Sequence, residues 1–378
     1  MPRHPTLEGL CRHAQARSLF RPLSLPAAVR RLGFVQADPI RAPARAQDLI
    51  LRQRVAGYRA GALEQRYPRL GLEEDYFVNY GFLPPDLHRL MHPRTPRTAW
   101  PKARRLQAQA VLEFVRARGV VHPTEVDAAF DHGRTRTWFG GSSRASTQLL
   151  DAMHYRGLLR VARREGGVRL YAARDSHEAT ERNAALDRLA DVVLALYAPL
   201  PERSLSELIS ALRYGTPQWA DQRRAVHDRL LARSPQARVD GINWVWPAGE
   251  DPMSARHRPD DALRLLAPFD PVVWDRRRFE FFWGWAYRFE AYTPAPKRVR
   301  GYYALPLLWR GRVDGWGNLD TAGGTLVARI GWQTGRPPRD AAWRAALEAE
   351  LSRCATFLGL DEGAFRWQLQ EQEQEQET

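Results

Sequence analysis

Leu158-Leu-Arg-Val-Ala-Arg-Arg-Glu-Gly-Gly-Val-Arg-Leu-Tyr171 is the stretch on which the fold of this chain turns. Residues 158–162 and 168–171 are short apolar runs suited to strands, and Arg163-Arg164-Glu165-Gly166-Gly167 between them supplies the glycines of a tight hairpin turn. Upstream, helical patterns cover 103–118, 123–130 with Pro123 at its start, and 143–155. Three helices closed by a basic hairpin make a winged-helix pattern. Residues 184–246 repeat it more loosely, with helices over 186–197, 204–212 and 218–231 and strands around Val239 and Val245. The repetition is architectural, without a convincing residue-level counterpart.

On the N-terminal side, 5–32 reads as two short helices, the second over 26–32 with Gly33 as its stop. The apolar segment Phe34-Val-Gln-Ala-Asp-Pro-Ile40 follows, then a helical pattern over 45–56 with Leu49, Ile50 and Val55 on its inner face. Residues 76–83 are aromatic and apolar, and Pro84-Pro85 opens a further short helix before the linker prolines Pro93, Pro96 and Pro101. From Leu263 the chain alternates aromatic and aliphatic runs broken by Pro and Gly, the texture of a small β-barrel, and a helix over 339–358 follows. The expected fold is α+β and mainly helical: tandem winged-helix units plus a C-terminal β-barrel. The expected divisions are 1–98, 99–175, 176–250, 258–362 and a polar tail over 363–378, whose Gln/Glu alternation from Gln368 to Thr378 is read as a fraying helix end or disordered.

At 378 residues with 44% hydrophobic content, the chain can bury a core in roughly two to four units. A formal net charge of +14 points to an anionic partner, nucleic acid ahead of a membrane surface. Lys102 and Lys297 are the only lysines among 57 basic residues, an arginine skew that a GC-rich genome explains, so the charge says little about the partner's identity. Cys11 and Cys354 alone give no disulfide framework and no thiolate cluster. The start Met1-Pro-Arg-His-Pro5 lacks an apolar signal core and no run of about 18 apolar residues occurs, so a cytoplasmic, nucleoid-associated monomer is expected.

If 34–40 is extended, Gln36 and Asp38 project from one face, and an amide beside a carboxylate can hold a water and take its proton. Arg41, Arg45, Arg52 and Arg54 follow and can hold an anion over the pair. The same residues also fit an ordinary Asp-Pro turn with a packed glutamine. Gly140-Gly141-Ser142-Ser143-Arg144 opens the expected third helix of the second unit, where free N–H groups attract phosphate, and Arg144, Thr147 and Gln148 share its outer face. With Arg163, Arg164 and Arg169 on the neighbouring hairpin, DNA contact is the favoured reading of this surface, and a capped surface helix the plain one. Lys297, Arg298 and Arg300 sit among aromatics around a Pro-rich turn, where a tip could meet a phosphate backbone, although packed barrel aromatics are the commoner explanation. His88 and His92 have zinc-like i, i+4 spacing but lack a third ligand nearby in sequence, so no metal or other cofactor is expected.

Several separated segments together resemble one family, the bacterial winged-helix DNA glycosylases of the AlkZ/YcaQ type. They are Leu32-Gly-Phe-Val-Gln36-Ala-Asp38 with Arg45-Ala-Gln-Asp48, Gly141-Ser-Ser-Arg-Ala-Ser146 and the 163–171 hairpin. The C-terminal block is the most specific: Leu265-Leu-Ala-Pro-Phe-Asp-Pro-Val-Val-Trp274-Asp-Arg-Arg-Arg278, Tyr287-Arg-Phe-Glu290, Pro294-Ala-Pro-Lys-Arg298 and Gly301-Tyr-Tyr-Ala-Leu-Pro306. The resemblance implies winged helices arranged as a DNA cradle closed by a barrel, and excision of bulky N7-alkylated purines from duplex DNA. It also implies catalysis by Gln36 and Asp38, since a Gln-x-Gln or Gln-x-Asp pair is the family's motif. The Gln-x-Asp form resembles the branch with broad substrates, interstrand crosslinks among them. Many members carry Tyr-Trp-x-His where this chain reads Tyr76-Phe77-Val78-Asn79, a departure that bears on substrate range.

The chemistry fits the residues as well. An N7-alkylpurine is already cationic and leaves without protonation, so one carboxylate suffices: Asp38 stabilises the oxocarbenium-like sugar and takes the proton of a water that Gln36 orients. Arg41 and Arg45 are expected to favour ionised Asp38. With no lysine near the motif for a Schiff base, a monofunctional enzyme leaving an abasic site is expected. A winged-helix transcription regulator and a non-catalytic lesion-binding protein are the alternatives, and both leave Asp38 without a chemical role.

Overall fold

The computed structural model of the chain describes residues 4–130, 134–136, 142–174, 181–333, 337–338 and 340–370, and the fold is mixed α+β. The first 98 residues hold α1 (Leu7–Ser18), α2 (Leu25–Leu32), β1 (Val35–Gln36), α3 (Ala46–Leu51), α4 (Ala62–Leu70), β2 (Glu73–Tyr76), β3 (Tyr80–Leu83) and α5 (Pro85–Arg89). Pro26 sits in the first turn of α2 and Gly33 closes it, its N–H bonded to the Val29 carbonyl. The three strands form a sheet in the order β1-β3-β2. Leu25, Val29, Leu49, Ile50, Phe34 and Phe82 pack beneath it.

Next come α6 (Lys102–Arg118), β4 (Val120–Val121), α7 (Pro123–Ala129), β5 (Arg134–Arg136), β6 (Ser142–Arg144), α8 (Ala145–Tyr155), β7 (Leu159–Glu165) and β8 (Val168–Ala173). His122 caps α7 and Glu125 reaches back to the His122 N–H at 2.6 Å, closing a capping box that fixes where α7 begins. The helices pack on a sheet in the order β4-β8-β7. One boundary differs from the sequence expectation. The backbone of Ser142–Arg144 pairs antiparallel with Arg134–Arg136, so α8 starts at Ala145 and Ser142 and Ser143 are not helix caps. The side chains of Ser142, Ser143 and Arg144, and all of Gly140 and Gly141, lie outside the described residues.

The third segment has α9 (Arg182–Tyr197), β9 (Leu200–Pro201), α10 (Glu202–Ala211), α11 (Arg223–Arg233), β10 (Gln236–Val239) and β11 (Ile242–Val245), with sheet order β10-β11-β9. The fourth has β12 (Arg264–Leu265), α12 (Arg276–Trp283), β13 (Leu305–Trp309), β14 (Arg312–Ala322), β15 (Thr325–Trp332), α13 (Ala341–Leu358) and β16 (Phe365–Leu369). Its five strands run β12-β13-β14-β15-β16 in an open sheet, which corrects the expected barrel. The reason is the last crossover: α13 follows β15, packs on β12, β15 and β16, and delivers β16 parallel to the β15 edge, away from β12. Residues 365–369, placed in the polar tail by the sequence, are thus strand; 371–378 lie outside the described residues. No described helix is long and apolar enough to cross a membrane.

One continuous core runs through all four segments, from Leu10 to Phe357. A second, aromatic cluster lies in the C-terminal segment, with Val273, Phe279, Trp285, Tyr287 and Trp316 among its members.

Candidate active site

Gln36 lies on β1, where it pairs with Gly81 of β3, and the Ala37 N–H donates to the Tyr80 carbonyl at 2.9 Å. Only glycine permits this approach: a Cβ at position 81 would sit 2.3 Å from the Val35 carbonyl oxygen. Gln36 is buried, and its Oε1 accepts the indole N–H of Trp274 at 3.1 Å. An indole nitrogen only donates, so the contact fixes the amide with its oxygen toward Trp274 and its Nε2 as the other, donor end. Trp274 is held in turn by its backbone N–H, which donates to the Asp270 carbonyl (2.8 Å), and by its ring against Tyr197, centroids 5.0 Å apart. Asp270 forms a fully buried bidentate pair with Arg54 at 2.7 and 2.8 Å.

Asp38 is half-buried two residues on. Its Oδ1 accepts the Ile40 N–H at 2.9 Å, so the Asp-Pro turn is real and occupies one carboxylate oxygen. Burial pushes the carboxyl above the ordinary aspartate value, and the Ile40 N–H offsets only part of that. The expectation that Arg41 and Arg45 hold Asp38 charged is corrected here. Arg45 is paired with Glu64, which Gln47 also contacts at 3.2 Å, and Arg41 is exposed. Both guanidinium groups instead flank the β7–β8 turn: a Cβ on Gly167, at φ +88°, would lie 2.8 Å from Arg45 Nη2 and 3.8 Å from Arg41 Nη2. Arg52 and Arg54, also read as anion-holding, are spent inside the protein on Glu350 and Asp270.

The hairpin arginines divide. Arg163 is exposed and meets only Glu165, at 2.9 Å, among the contacts described. Arg164 and Arg169 turn inward onto Glu74, whose carboxylate is buried; Arg169 also reaches Asp151 at 2.9 Å and lies 4.5 Å over the Tyr80 ring. They brace the hairpin against β2 and β3 rather than standing open to phosphate. Their charges and hydrogen bonds outweigh burial at Glu74 and hold its carboxyl below the usual range, although burial is the largest single effect. Thr147 is half-buried on α8.

Tyr76-Phe77-Val78-Asn79 forms the β2–β3 turn: Phe77 and Val78 are buried, while Asn79 is exposed and caps its own turn by accepting the Tyr80 N–H at 2.8 Å. His88 and His92 meet after all, on Asp75. Each Nε2 lies 3.0 Å from Asp75 Oδ2, and the three residues bring ligand atoms within 4.8 Å of one another. Arg94 occupies the same carboxylate at 3.1 and 3.2 Å and also donates to the carbonyls of Gly215 (2.7 Å) and Tyr155 (2.8 Å). A guanidinium on both carboxylate oxygens competes with any cation there, and the cluster ties three segments together. Burial pushes His92 down to about 2, which keeps it neutral.

Two tyrosines, Tyr303 of the Gly301–Pro306 block and Tyr292, which no motif singled out, lie within electrostatic reach of Asp38. Burial raises the hydroxyls of Tyr303 and Tyr292, and the charge of Asp38 raises both further. Tyr303 is buried and its hydroxyl has no partner among the described residues; Tyr292 is exposed. Arg300 is mostly buried against Glu290, Trp285 and Trp316, whereas Lys297 is exposed and Arg298 stacks on Tyr302 at 5.0 Å. Trp274 is the functional neighbour of Gln36 that sequence reasoning missed.

The fold matches that of the Streptomyces sahachiroi DNA glycosylase AlkZ with a TM-score of 0.64, at 16% identity, over 97% of this chain and 100% of that one. The family model for AlkZ-like DNA glycosylases matches residues 29–357, a span that contains Gln36, Asp38, Trp274 and Tyr303. With most of its length covered by that model, the chain belongs to the AlkZ-like DNA glycosylase family.

Proposed function

We propose that the protein is a monofunctional DNA glycosylase that hydrolyses the N-glycosidic bond of N7-alkylated purines, bulky and crosslinked adducts included, and leaves an abasic site. Family membership supports glycosylase chemistry on damaged DNA. The observation that carries the catalytic assignment is the Trp274 indole on Gln36 Oε1 at 3.1 Å, because it leaves Nε2 as the working end of the amide. A water that accepts from Gln36 Nε2 and donates to Asp38 Oδ2 has its lone pair free for the sugar. The water oxygen bonds to C1′ as the C1′–N9 bond breaks; the electron pair of that bond neutralises the cationic purine, and the water proton passes to Asp38. Before that transfer, ionised Asp38 stabilises the positive charge that develops on the sugar. Its burial raises its basicity, which suits a base.

The three-helix and hairpin units at 99–175 and 176–250 support winged-helix DNA contact, with the N-terminal unit at 1–98 carrying the motif and 258–362 closing the cradle. In this reading Arg41 and Arg163 around the hairpin turn and Lys297 and Arg298 on the C-terminal loop meet the phosphate backbone, with Arg45, paired to Glu64, bracing the turn beside them. Arg164, Arg169 and Arg300 support those surfaces from within, and Ser142, Ser143, Arg144 and Thr147 remain assigned to DNA. The partner is duplex DNA, the protein acts as a monomer, and its expected compartment is the cytoplasm.

The test is incubation with duplex DNA containing N7-alkylguanine, followed by alkali cleavage at abasic sites. Native protein should give strand breaks only after alkali, and borohydride should trap no covalent complex. Equal yields from native protein, Gln36→Ala and Asp38→Asn would overturn the reading.

A further inference from the structure

Residues 292–302 concentrate exposed apolar surface. Tyr292 is 80% exposed, Val299 69% and Tyr302 43%. Clusters of this kind on a soluble protein mark places where something docks. The loop is also braced. Glu290 Oε2 accepts the Arg300 and Gly301 N–H groups at 2.8 and 3.2 Å, the Thr293 N–H donates to the Glu290 carbonyl at 2.9 Å, and Arg298 Nε donates to the Thr293 carbonyl at 2.8 Å. Lys297 N–H closes a turn onto the Pro294 carbonyl at 2.9 Å. An apolar tip held this firmly is pre-organised to enter something, because little conformational freedom remains to be lost on docking.

Its position connects it to Asp38. Phe289 touches Tyr292 on one side (ring centroids 5.9 Å) and Tyr303 on the other (5.2 Å, edge to face). Tyr303 is buried with an unpartnered hydroxyl, and the hydroxyls of both tyrosines lie in the field of Asp38. An exposed aromatic ring is therefore coupled through Phe289 to Tyr303 and lies within electrostatic reach of Asp38, with Lys297 and Arg298 on the same loop to meet phosphates.

The geometry points to a base-stacking wedge: Tyr292, presented by the 292–302 loop, enters the duplex at the lesion and stacks on a nucleobase as the helix opens over Asp38. Every base offers a π face, so the contact is independent of sequence, and a cationic alkylated purine gains an additional attraction to the electron-rich ring. Lys297 and Arg298 hold the flanking backbone. The inference rests on the glycosylase reading for the identity of the DNA substrate, but the stacking itself does not require chemistry.

The experiment therefore has two arms. In the Asp38→Asn background, a duplex carrying 2-aminopurine next to an N7-alkylguanine reports local opening by fluorescence. Protein with Tyr292 intact should raise the signal, Tyr292→Ala should abolish that rise, and Tyr292→Phe and Tyr292→Trp should keep it. In the Asp38-containing protein, Tyr292→Ala should slow excision about tenfold, while affinity for undamaged duplex changes less than twofold. At 80% exposure the substitution leaves the fold intact, which a melting curve checks. An unchanged fluorescence rise with Tyr292→Ala overturns the wedge, as does equal loss in Tyr292→Phe, which would assign the effect to the hydroxyl. Failure of the glycosylase reading shows separately, as excision that is absent from the native protein or indifferent to Asp38→Asn.

Discussion

Asp38 works against the stability of its own protein. A carboxyl raised by burial costs nothing when both folded and unfolded states are protonated, and the cost appears as pH rises through the ordinary aspartate range, reaching its full size above the raised value. Asp38→Asn should therefore melt higher than the native protein at pH 7, with the gain shrinking to nothing on acidification below the ordinary aspartate range; a melting series across pH reads this. The same shift moves the acid limb of the excision rate above the ordinary aspartate value, since only ionised Asp38 can take the proton. Trp274→Phe keeps an aromatic ring but removes the donor, so the amide of Gln36 is free to flip. Single-turnover excision should fall about tenfold, the order of one hydrogen bond of roughly 1.4 kcal/mol, with DNA affinity unchanged. Gln36 and Asp38 could be nominated from the sequence because a two-residue spacing is a local property. The Trp274 contact spans 238 positions, and no local pattern announces it.

Among the elements, the β7–β8 hairpin shows how arginines that look alike in sequence take different work. Plain alternation would put Arg163 on the buried face with Leu159 and Val161; the register shift between Val161 and Arg163 sends it outward and turns Arg164 onto Glu74, where Arg169 joins it from β8. Arg163→Ala should leave the melting temperature unchanged and reduce the steepness with which DNA affinity falls in salt by about one phosphate contact. Arg164→Ala should do the reverse, costing about 2 kcal/mol by leaving buried Glu74 short of its partner, measured by denaturant unfolding. Most helices of the first three segments were readable to within about five residues from periodicity and from Pro and Gly punctuation, but α4 went unread and α12 lies in a stretch whose aromatic runs read as β. The start of α8 was not, because Ser142–Arg144 pairs with a strand rather than capping the helix, and a serine pair suits either fate.

Across the whole molecule, the site is composite: β1 brings Gln36, the segment before α12 brings Trp274, and the loop before β13 brings Tyr303. Arg54 locks the two ends together with all five of its N–H groups engaged, on Asp270, Ser18 and Ile50. Arg54→Met strands a buried Asp270 and should cost about 3 kcal/mol of unfolding free energy, lowering excision in parallel. The cross-segment arginine locks could not be read, since charge in a sequence does not say which partner it finds. The open C-terminal sheet escaped for a related reason. Its last strand, Phe365–Leu369, runs straight into the Gln/Glu-rich tail, and it is held by the β15 edge and by Trp367 packed on Trp343 of α13. Asp38 as the base of a glycosylase is most directly tested by single-turnover excision from an N7-alkylguanine duplex, with native and Asp38→Asn proteins at equal DNA occupancy. The account predicts that Asp38→Asn binds as tightly and loses at least a hundredfold in rate; equal rates at equal occupancy would contradict it.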